Sequence, residues 1–270
     1  MTLQEFWNSR GGLGPIAGTQ DLIAKELEVE AICHFARDGM HILDMGCGNG
    51  ITAIELARRY DVVVEGVDFS DEMIRSAREL TPDKGLKGSA VFDAGDVTCM
   101  DRPISTYDMV ITERTLVNLK NWATQEKAIR DLTALLVPGG CYIMCENSLQ
   151  GLDELNDLRA LVDLPAIVPP WHNRYLDSLN VEGVSIPGVE IELQWFYAST
   201  YYLLSRIVNA RLAADASAPP DYDSPINRLA LKLPNIGTLG QGRIWKWRKR
   251  RNLERIVAAG HPLQQVAYVP

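Results

Sequence analysis

Residues 41–50, HILDMGCGNG, determine the expected fold of this chain. The segment begins as a short apolar run and passes into three glycines at alternate positions, and the helical pattern of residues 51–60 follows at once. A buried strand, a glycine-rich turn and a helix in this order are typical of a parallel α/β sheet. Since the glycines lack side chains, a ligand can approach the backbone closely beside the N-terminus of the helix.

Strands and helices alternate on both sides of this turn. Strand patterns occupy residues 41–45, 62–68, 91–96, 107–113, 141–146, 189–197 and 242–248, and helical patterns occupy residues 19–37, 51–60, 71–80, 124–136, 152–162 and 201–213. We expect Thr19 to cap the first helix, Gly39 to end it, and residues 138–140 to stop the fourth. The pattern predicts an α/β fold: a Rossmann-like, mostly parallel, seven-stranded sheet flanked by helices, with helical and loop insertions after strands 5 and 6.

The chain is expected to form a single domain over residues 1–270. In that domain residues 1–38 form a helical cover, residues 39–146 a ligand-binding core, and residues 147–188 and 199–242 two insertions. Insertions of this length in a compact domain often act as lids over a site.

The glycine turn does not fit a phosphate site. It reads G-x-G-x-G, whereas a dinucleotide turn reads G-x-G-x-x-G and a P-loop needs a lysine after its last glycine. Asp44, two residues before the first glycine, would repel a pyrophosphate but suits a cationic amine or sulfonium.

Two more carboxylates follow the next two strands. Asp68 ends the second predicted strand and Asp96 ends the third. Because parallel strands end at the same edge of the sheet, Asp44, Asp68 and Asp96 are expected to lie around the glycine turn. Asp68 is suited to accept hydrogen bonds from ribose hydroxyls, and Asp96 to accept one from an adenine amino group. Each alone is more often a cap or a solvated loop end, but the three together favour a binding site.

Five motifs together resemble those of the class I S-adenosylmethionine-dependent methyltransferases. They are HILDMGCGNG (41–50), GVDFSDEMIRSARE (66–79), GDV (95–97), YDMVITERTLVNL (107–119) and LLVPGGCYIM (135–144). The resemblance implies a methyltransferase domain with S-adenosyl-L-methionine as cofactor and S-adenosyl-L-homocysteine as product. The cofactor-binding residues that it implies are Asp44, Gly46, Cys47, Gly48, Gly50, Asp68, Phe69, Met73, Asp96, Val97 and Glu113, with Trp7, Arg10 and Thr19 as weaker candidates from the cover.

The resemblance also implies that Glu113 and Arg114, after the fourth strand, lie between methyl donor and acceptor. The Asn/Asp-Pro-Pro-Tyr/Phe motif of amino-methylating members is absent, since residues 112–115 read TERT. Methylation of nucleic-acid bases therefore loses support.

Acceptor residues are expected in the insertions. His172 is the one histidine of four that falls in a predicted lid, and it is our candidate general base, with a structural loop histidine as the alternative. The full set of acceptor candidates is Arg114, Trp171, His172, Arg174, Tyr175 and Tyr201. Arginines at such a site favour an anionic acceptor, unless Arg159 and Arg174 pair with neighbouring surface acids instead. The aromatic residues Trp195, Phe196, Tyr197, Tyr201 and Tyr202 are a further candidate lining of the acceptor pocket, although an aromatic stripe on a strand is more often core.

Composition excludes several classes of protein. The net charge is −8, which disfavours a nucleic-acid partner, although residues 243–270 hold seven Lys or Arg and one Glu. A solvated sheet edge is the first interpretation of that basic strip, and RNA contact or self-association is the second. No apolar run could span a membrane, and the five cysteines lack the spacing of a zinc site, so a cytoplasmic protein without a metal is expected. The oligomeric state is open, a homodimer included.

The leading hypothesis is a methyltransferase that acts on a small polar, anionic or sugar-like metabolite, by O-methylation and in-line transfer. An RNA or protein methyltransferase and a non-catalytic protein that binds S-adenosylmethionine are the alternatives.

Overall fold

A computed structural model describes residues 1–251, which contain seven strands. They are β1 (His41–Met45), β2 (Val63–Asp68), β3 (Ser89–Ala94), β4 (Tyr107–Glu113), β5 (Leu136–Asn147), β6 (Val189–Trp195) and β7 (Gly242–Lys249). They form one sheet in the order β3-β2-β1-β4-β5-β7-β6. The first five strands are parallel, and β7 runs antiparallel to both of its neighbours. The predicted Rossmann-like, mostly parallel, seven-stranded α/β fold is confirmed.

Helices cover both faces of the sheet. They are α1 (Leu3–Arg10), α2 (Leu22–Cys33), α3 (Ile51–Arg59), α4 (Asp71–Leu80), α5 (Trp122–Ala134), α6 (Leu149–Leu161), α7 (Ser178–Glu182), α8 (Ser199–Tyr202), α9 (Ala210–Asp215) and α10 (Pro225–Leu229). A π-helical turn (Leu203–Asn209) joins α8 to α9. Two large clusters of buried apolar side chains pack against the sheet, one built on Ile42, Ile111 and Ile143 and the other on Leu43, Val110 and Trp245.

Several predicted boundaries were wrong for identifiable reasons. Helix α2 is capped by Asp21, whose carboxylate accepts from the N–H of Ala24, while the Thr19 hydroxyl accepts from Asp21 itself. It ends at Cys33, well before Gly39. Helix α5 ends at Ala134, so residues 138–140 do not stop it; they lie within β5, where the pairing with β4 shifts register. Strand β3 ends at Ala94, two residues before Asp96.

The basic strip on β7 is not a sheet edge. The strand lies between β5 and β6, and its side chains pair with carboxylates of β6. Glu192 accepts from Lys246 at 3.0 Å and from Arg248 at 2.9 Å, and Glu190 pairs with Arg250 just beyond the strand. These three cations therefore form ion pairs within the fold, with Lys246 and Arg248 sharing Glu192. The remainder of the basic segment, residues 252–270, lies outside the described residues.

Across residues 1–251, each helix is too short or too polar to cross a membrane.

Candidate functional site

A cavity of about 800 Å³ opens at the carboxyl edge of the parallel strands. Thirteen of the residues singled out from the sequence line it: Asp44, Gly46, Cys47, Gly48, Asp68, Phe69, Met73, Asp96, Val97, Glu113, Arg114, His172 and Tyr175. Trp7, Arg10 and Thr19 line it as well. We distinguish a glycine-loop half, formed by residues 44–49, 68–73 and 95–98, from a distal half, formed by Asp21, Lys25, Glu113, Arg114, Asn147, Tyr175, Arg206, Tyr222 and Gln241.

Four predicted site residues do not line the cavity. Gly50 caps α3, and a Cβ there would meet the ring of Phe92 at 2.7 Å, so its role is packing. Trp171 is 64% exposed, and Arg174 is exposed too. Tyr201 is buried, with its hydroxyl donating to Asp21.

The glycine loop has a backbone that only glycine adopts easily. Gly46 and Gly48 have φ values of +77° and +54°, in the left-handed region. A Cβ on Gly46 would lie 2.1 Å from the Thr115 hydroxyl, whereas one on Gly48 would meet nothing within 4 Å. Gly46 therefore allows the backbone to pack against Thr115, whereas Gly48 borders open space.

Asp44 is buried at 1% exposure, and neither of its carboxylate oxygens has a hydrogen-bond partner among the described residues. Burial, helped by the Glu113 charge, raises the pKa of Asp44 to about 7. A buried carboxylate without a donor is costly, and a bound cation would relieve that cost.

Asp68 is also buried, but the backbone satisfies it in part. It accepts hydrogen bonds from the N–H groups of Gly48 and Ser70, each at 2.9 Å. Although these bonds favour the charged form, burial outweighs them and raises the pKa of Asp68. A carboxylate has about four acceptor positions, so both oxygens can still accept from a ligand's hydroxyls.

Asp96 differs from the other two carboxylates, because it is exposed and its side chain accepts hydrogen bonds from within its own turn. One of its oxygens accepts from both the N–H and the hydroxyl of Thr98, at 2.7 and 2.8 Å.

These residues fit S-adenosylmethionine. The orphaned carboxylate of Asp44 suits the ammonium of its methionine part, and Asp68 suits its ribose hydroxyls. Phe69, Met73 and Val97 supply apolar surface for the adenine. The glycine loop allows the ligand's close approach to the backbone.

The distal half contains a buried cluster of charges. Lys25 donates to Glu113 at 2.5 Å and to the Thr52 hydroxyl at 2.9 Å, and Thr52 donates to the other Glu113 oxygen at 2.6 Å. Glu28 lies behind them at 4% exposure. Sequence reasoning missed Lys25 and Glu28, because the exposed Glu26 and Glu30 on the same helix give it the same local pattern of charge.

The two glutamates of this cluster titrate in opposite directions. Burial raises the pKa of Glu28 to about 8, and the neighbouring Glu113 charge adds to the effect while Arg114 opposes it. Although burial opposes it, the ammonium of Lys25 holds the pKa of Glu113 well below its usual range. Of the two glutamates, Glu28 is therefore the one that favours the protonated form and Glu113 the one that favours the ionised form.

Arg114 follows β4 in a strained conformation, with φ +52°. Its guanidinium lies 3.3 Å from Glu28 and 3.6 Å from Glu113, and it donates to the carbonyl of Gly18 at 3.4 Å. Glu146, fully buried, accepts from the N–H groups of residues 115–117 and so holds the turn after Arg114 in place.

An aromatic cluster roofs the cavity. The His172 ring lies 4.4 Å from the Phe6 ring and 5.6 Å from the Trp7 ring, between centroids, and Trp171 contacts Phe6 from the solvent side. Burial, followed by the charge of Arg10, lowers the pKa of His172. Its imidazole is therefore neutral near pH 7. Helix α1 and the loop over residues 170–175 both contribute side chains to the lining of the cavity.

The comparisons with known proteins identify the family of this chain. A family model described as a methyltransferase domain matches residues 36–182. Ajmaline N-methyltransferase of Rauvolfia serpentina is 31% identical over 104 residues, which are 38% of this chain and 35% of that protein. The ubiquinone biosynthesis O-methyltransferase of Coxiella burnetii is 25% identical over 137 residues, 51% of this chain and 54% of that protein.

The chain thus spans about a third to a half of the length of these curated relatives. Among solved structures, the cyclase SpnF is similar over 83% of this chain and 80% of that chain, with a TM-score of 0.56 and 18% identity. A likeness at that identity shows the fold and leaves the reaction to be argued from the site. Because the family model matches more than half of the chain and contains all five motifs, the chain belongs to the class I S-adenosylmethionine-dependent methyltransferases.

Proposed function

We propose that this protein transfers the methyl group of S-adenosylmethionine to a hydroxyl of a small polar acceptor. The observation that carries the proposal is the shape of the cavity. Helix α1 and the loop over residues 170–175 roof it with aromatic contacts, while polar side chains line its distal half. A roofed cavity of about 800 Å³ has the size of a site for small molecules.

In this proposal the parts of the chain have separate roles. Residues 1–38 cover the cofactor, residues 39–146 bind it, and the insertions over 147–188 and 199–242 select the acceptor. Tyr175 comes from the first insertion, and Arg206 and Gln241 come from the second. The Gln241 side chain donates to the Tyr175 hydroxyl at 3.1 Å, so the two insertions meet at the acceptor.

The distal half suits a polar acceptor, whether sugar-like or anionic. Its side chains include both hydrogen-bond donors and hydrogen-bond acceptors, on Asn147, Tyr175 and Gln241. With Glu28 protonated, the three cations of Lys25, Arg114 and Arg206 face the two carboxylates of Asp21 and Glu113. That balance favours an acceptor that carries negative charge or several oxygen atoms.

His172 is the proposed general base. S-adenosylmethionine supplies an activated methyl group, so the protein's contribution is alignment, together with removal of the hydroxyl proton. As the new bond between the acceptor oxygen and the methyl carbon forms and the bond from that carbon to sulfur breaks, the proton passes to the neutral imidazole. Because the pKa of His172 is lowered, its imidazole is unprotonated near neutral pH and can accept that proton.

The test uses labelled S-adenosylmethionine with separate pools of small metabolites, RNA and protein. We expect label in the metabolite pool, and label found only in RNA or protein would overturn the proposal. No label in any pool, with S-adenosylhomocysteine still bound in calorimetry, would favour a non-catalytic binder.

The base is tested with His172→Gln, which keeps a polar side chain of similar size. Once an acceptor is found, we expect the rate near pH 7 to fall by about a hundredfold and to recover partly at alkaline pH, where the hydroxyl ionises by itself. The affinity for S-adenosylhomocysteine should stay within a few-fold of wild type. An unchanged rate at every pH would show that His172 is not the base.

A further inference from the structure

Arg206 occupies an unusual position in the distal half of the cavity. It lies on the π-helical turn over Leu203–Asn209, in the second insertion. Turns of this kind are rare and occur frequently at functional sites, because the extra residue redirects a side chain. Here Arg206 lines the cavity with a side chain that is 16% exposed.

The surroundings of Arg206 hold its guanidinium in one place. Its Nη2 donates to Asp21 Oδ2 at 2.6 Å, across 185 positions of sequence. The other oxygen of Asp21 is occupied, since it accepts from the N–H of Ala24 and from the hydroxyl of Tyr201. Asp21 is therefore fixed by α2 and α8 together, and it fixes Arg206 in turn.

Three tyrosine rings complete this enclosure. The guanidinium carbon lies 5.7 Å from the ring centre of Tyr201, 5.8 Å from that of Tyr202 and 5.1 Å from that of Tyr222. At these distances each ring attracts the cation and excludes water from it. The arginine is thus oriented before any ligand arrives.

Much of the donor capacity of Arg206 remains free. Besides the bond to Asp21, its Nη1 donates to the Ser205 hydroxyl at 3.2 Å. Arginine carries five N–H bonds, and these two contacts within the described residues engage two of them. A planar cation with spare donors, held in a cavity, matches the paired oxygens of a carboxylate or phosphate.

We propose that Arg206, oriented by Asp21 and the three tyrosines, binds an oxyanion group of the acceptor and selects acceptors that carry one. This inference rests on the proposed function, since it names the substrate class for the distal half. In this proposal Arg206 binds the anionic group of the acceptor, and the exposed Arg174 does not.

The test uses protein saturated with S-adenosylhomocysteine and three small probes: acetate, inorganic phosphate and neutral acetamide. Binding is followed by NMR titration at constant ionic strength. We expect at least one of the two anions to bind about tenfold or more tightly than acetamide, and Arg206→Gln to remove that difference. Arg206→Lys should retain part of it, because a lysine keeps the charge but loses the planar fork. The anion that binds more tightly tells a carboxylate acceptor from a phosphorylated one.

Arg174→Gln is the matched control, because it removes an exposed arginine of the first insertion, outside the cavity lining, and it should leave anion binding unchanged. Calorimetry with S-adenosylhomocysteine, run on every variant, separates the possible failures. If wild type does not bind S-adenosylhomocysteine, the proposed function fails. If it does, but neither anion binds better than acetamide or Arg206→Gln binds both as wild type does, this inference alone is wrong.

Discussion

The two halves of the cavity are built in different ways. In the glycine-loop half, the ligand-facing groups lie at the ends of β1 and β2 and just beyond β3, within about fifty residues of sequence, and backbone N–H groups orient Asp68. In the distal half, side chains from seven separate stretches of the chain meet, and ion pairs orient several of them. Lys25 contacts Glu113, and Asp21 contacts Arg206.

This difference in construction matches the two proposed roles, which are binding of a common cofactor and selection of a particular acceptor. A backbone frame changes little when side chains change, so the glycine-loop half can bind the same cofactor in many proteins. Ion pairs between distant elements depend on each partner, so the distal half can vary its acceptor by substitution or insertion. We expect changes in one half to leave ligand binding by the other largely intact.

The largest expected effect is in the glycine-loop half. Asp68→Ala removes the acceptor for Gly48 N–H and Ser70 N–H as well as the proposed ribose contact. We expect the affinity for S-adenosylhomocysteine in calorimetry to fall by about a hundredfold, or roughly 3 kcal/mol.

Two controls sharpen this result. Asp96→Ala, in the same half but exposed, should weaken binding by a few-fold at most. Tyr175→Phe, in the distal half, should not weaken it. If Tyr175→Phe lowered the affinity as much as Asp68→Ala, the division into two halves would be incorrect.

A second effect concerns the distal half and its dependence on pH. Because the folded pKa of Glu28 is about 8, above its usual value, its stabilising contribution is complete at acid pH and is lost as pH rises toward 8. Glu28→Gln lacks this titration. In denaturant unfolding, the variant should therefore gain stability relative to wild type as pH rises from 5 to 8, with the gain levelling off above that. A constant difference over this range would contradict the assignment.

The smallest of the three effects is the pH dependence of cofactor binding. The pKa of Asp44 is raised to about 7, and a ligand ammonium binds its ionised form. Binding of S-adenosylhomocysteine should therefore weaken as pH falls from 8 to 6, by about tenfold in total. Asp44→Asn should bind more weakly at pH 8 and show a flat profile over the same range. If both proteins gave the same slope, a group other than Asp44 would be responsible.

The sequence was informative where the determinants are local. The bounds of β1, α4 and β4 follow directly from hydrophobic patterns and caps, as does the position of the glycine loop. The same local patterns misplaced the end of α5, because residues 138–140 resemble a helix stop although they lie within β5, at an irregularity in its pairing with β4.

The distal half could not be predicted in the same way. Arg206 points into the cavity because of a π-helical turn and a carboxylate 185 positions away, and neither leaves a local signature. Tyr201 was expected at the acceptor, but its hydroxyl instead donates a hydrogen bond to Asp21. The basic strip looked like an exposed edge because its partners, Glu190 and Glu192, lie on a strand more than fifty residues earlier.

The position of β7 has a consequence for synthesis of the chain. Within residues 1–251, strand β6 pairs with β7 and with no other strand of the sheet, and β7 also separates it from β5. On a ribosome, the five parallel strands can associate once residue 147 has emerged, but β6 must wait for residue 249 before it has a neighbour. Gln241 arrives immediately before β7, so the wall that faces the acceptor closes last. A nascent chain would therefore acquire the glycine loop and its carboxylates long before the distal half of the cavity was complete.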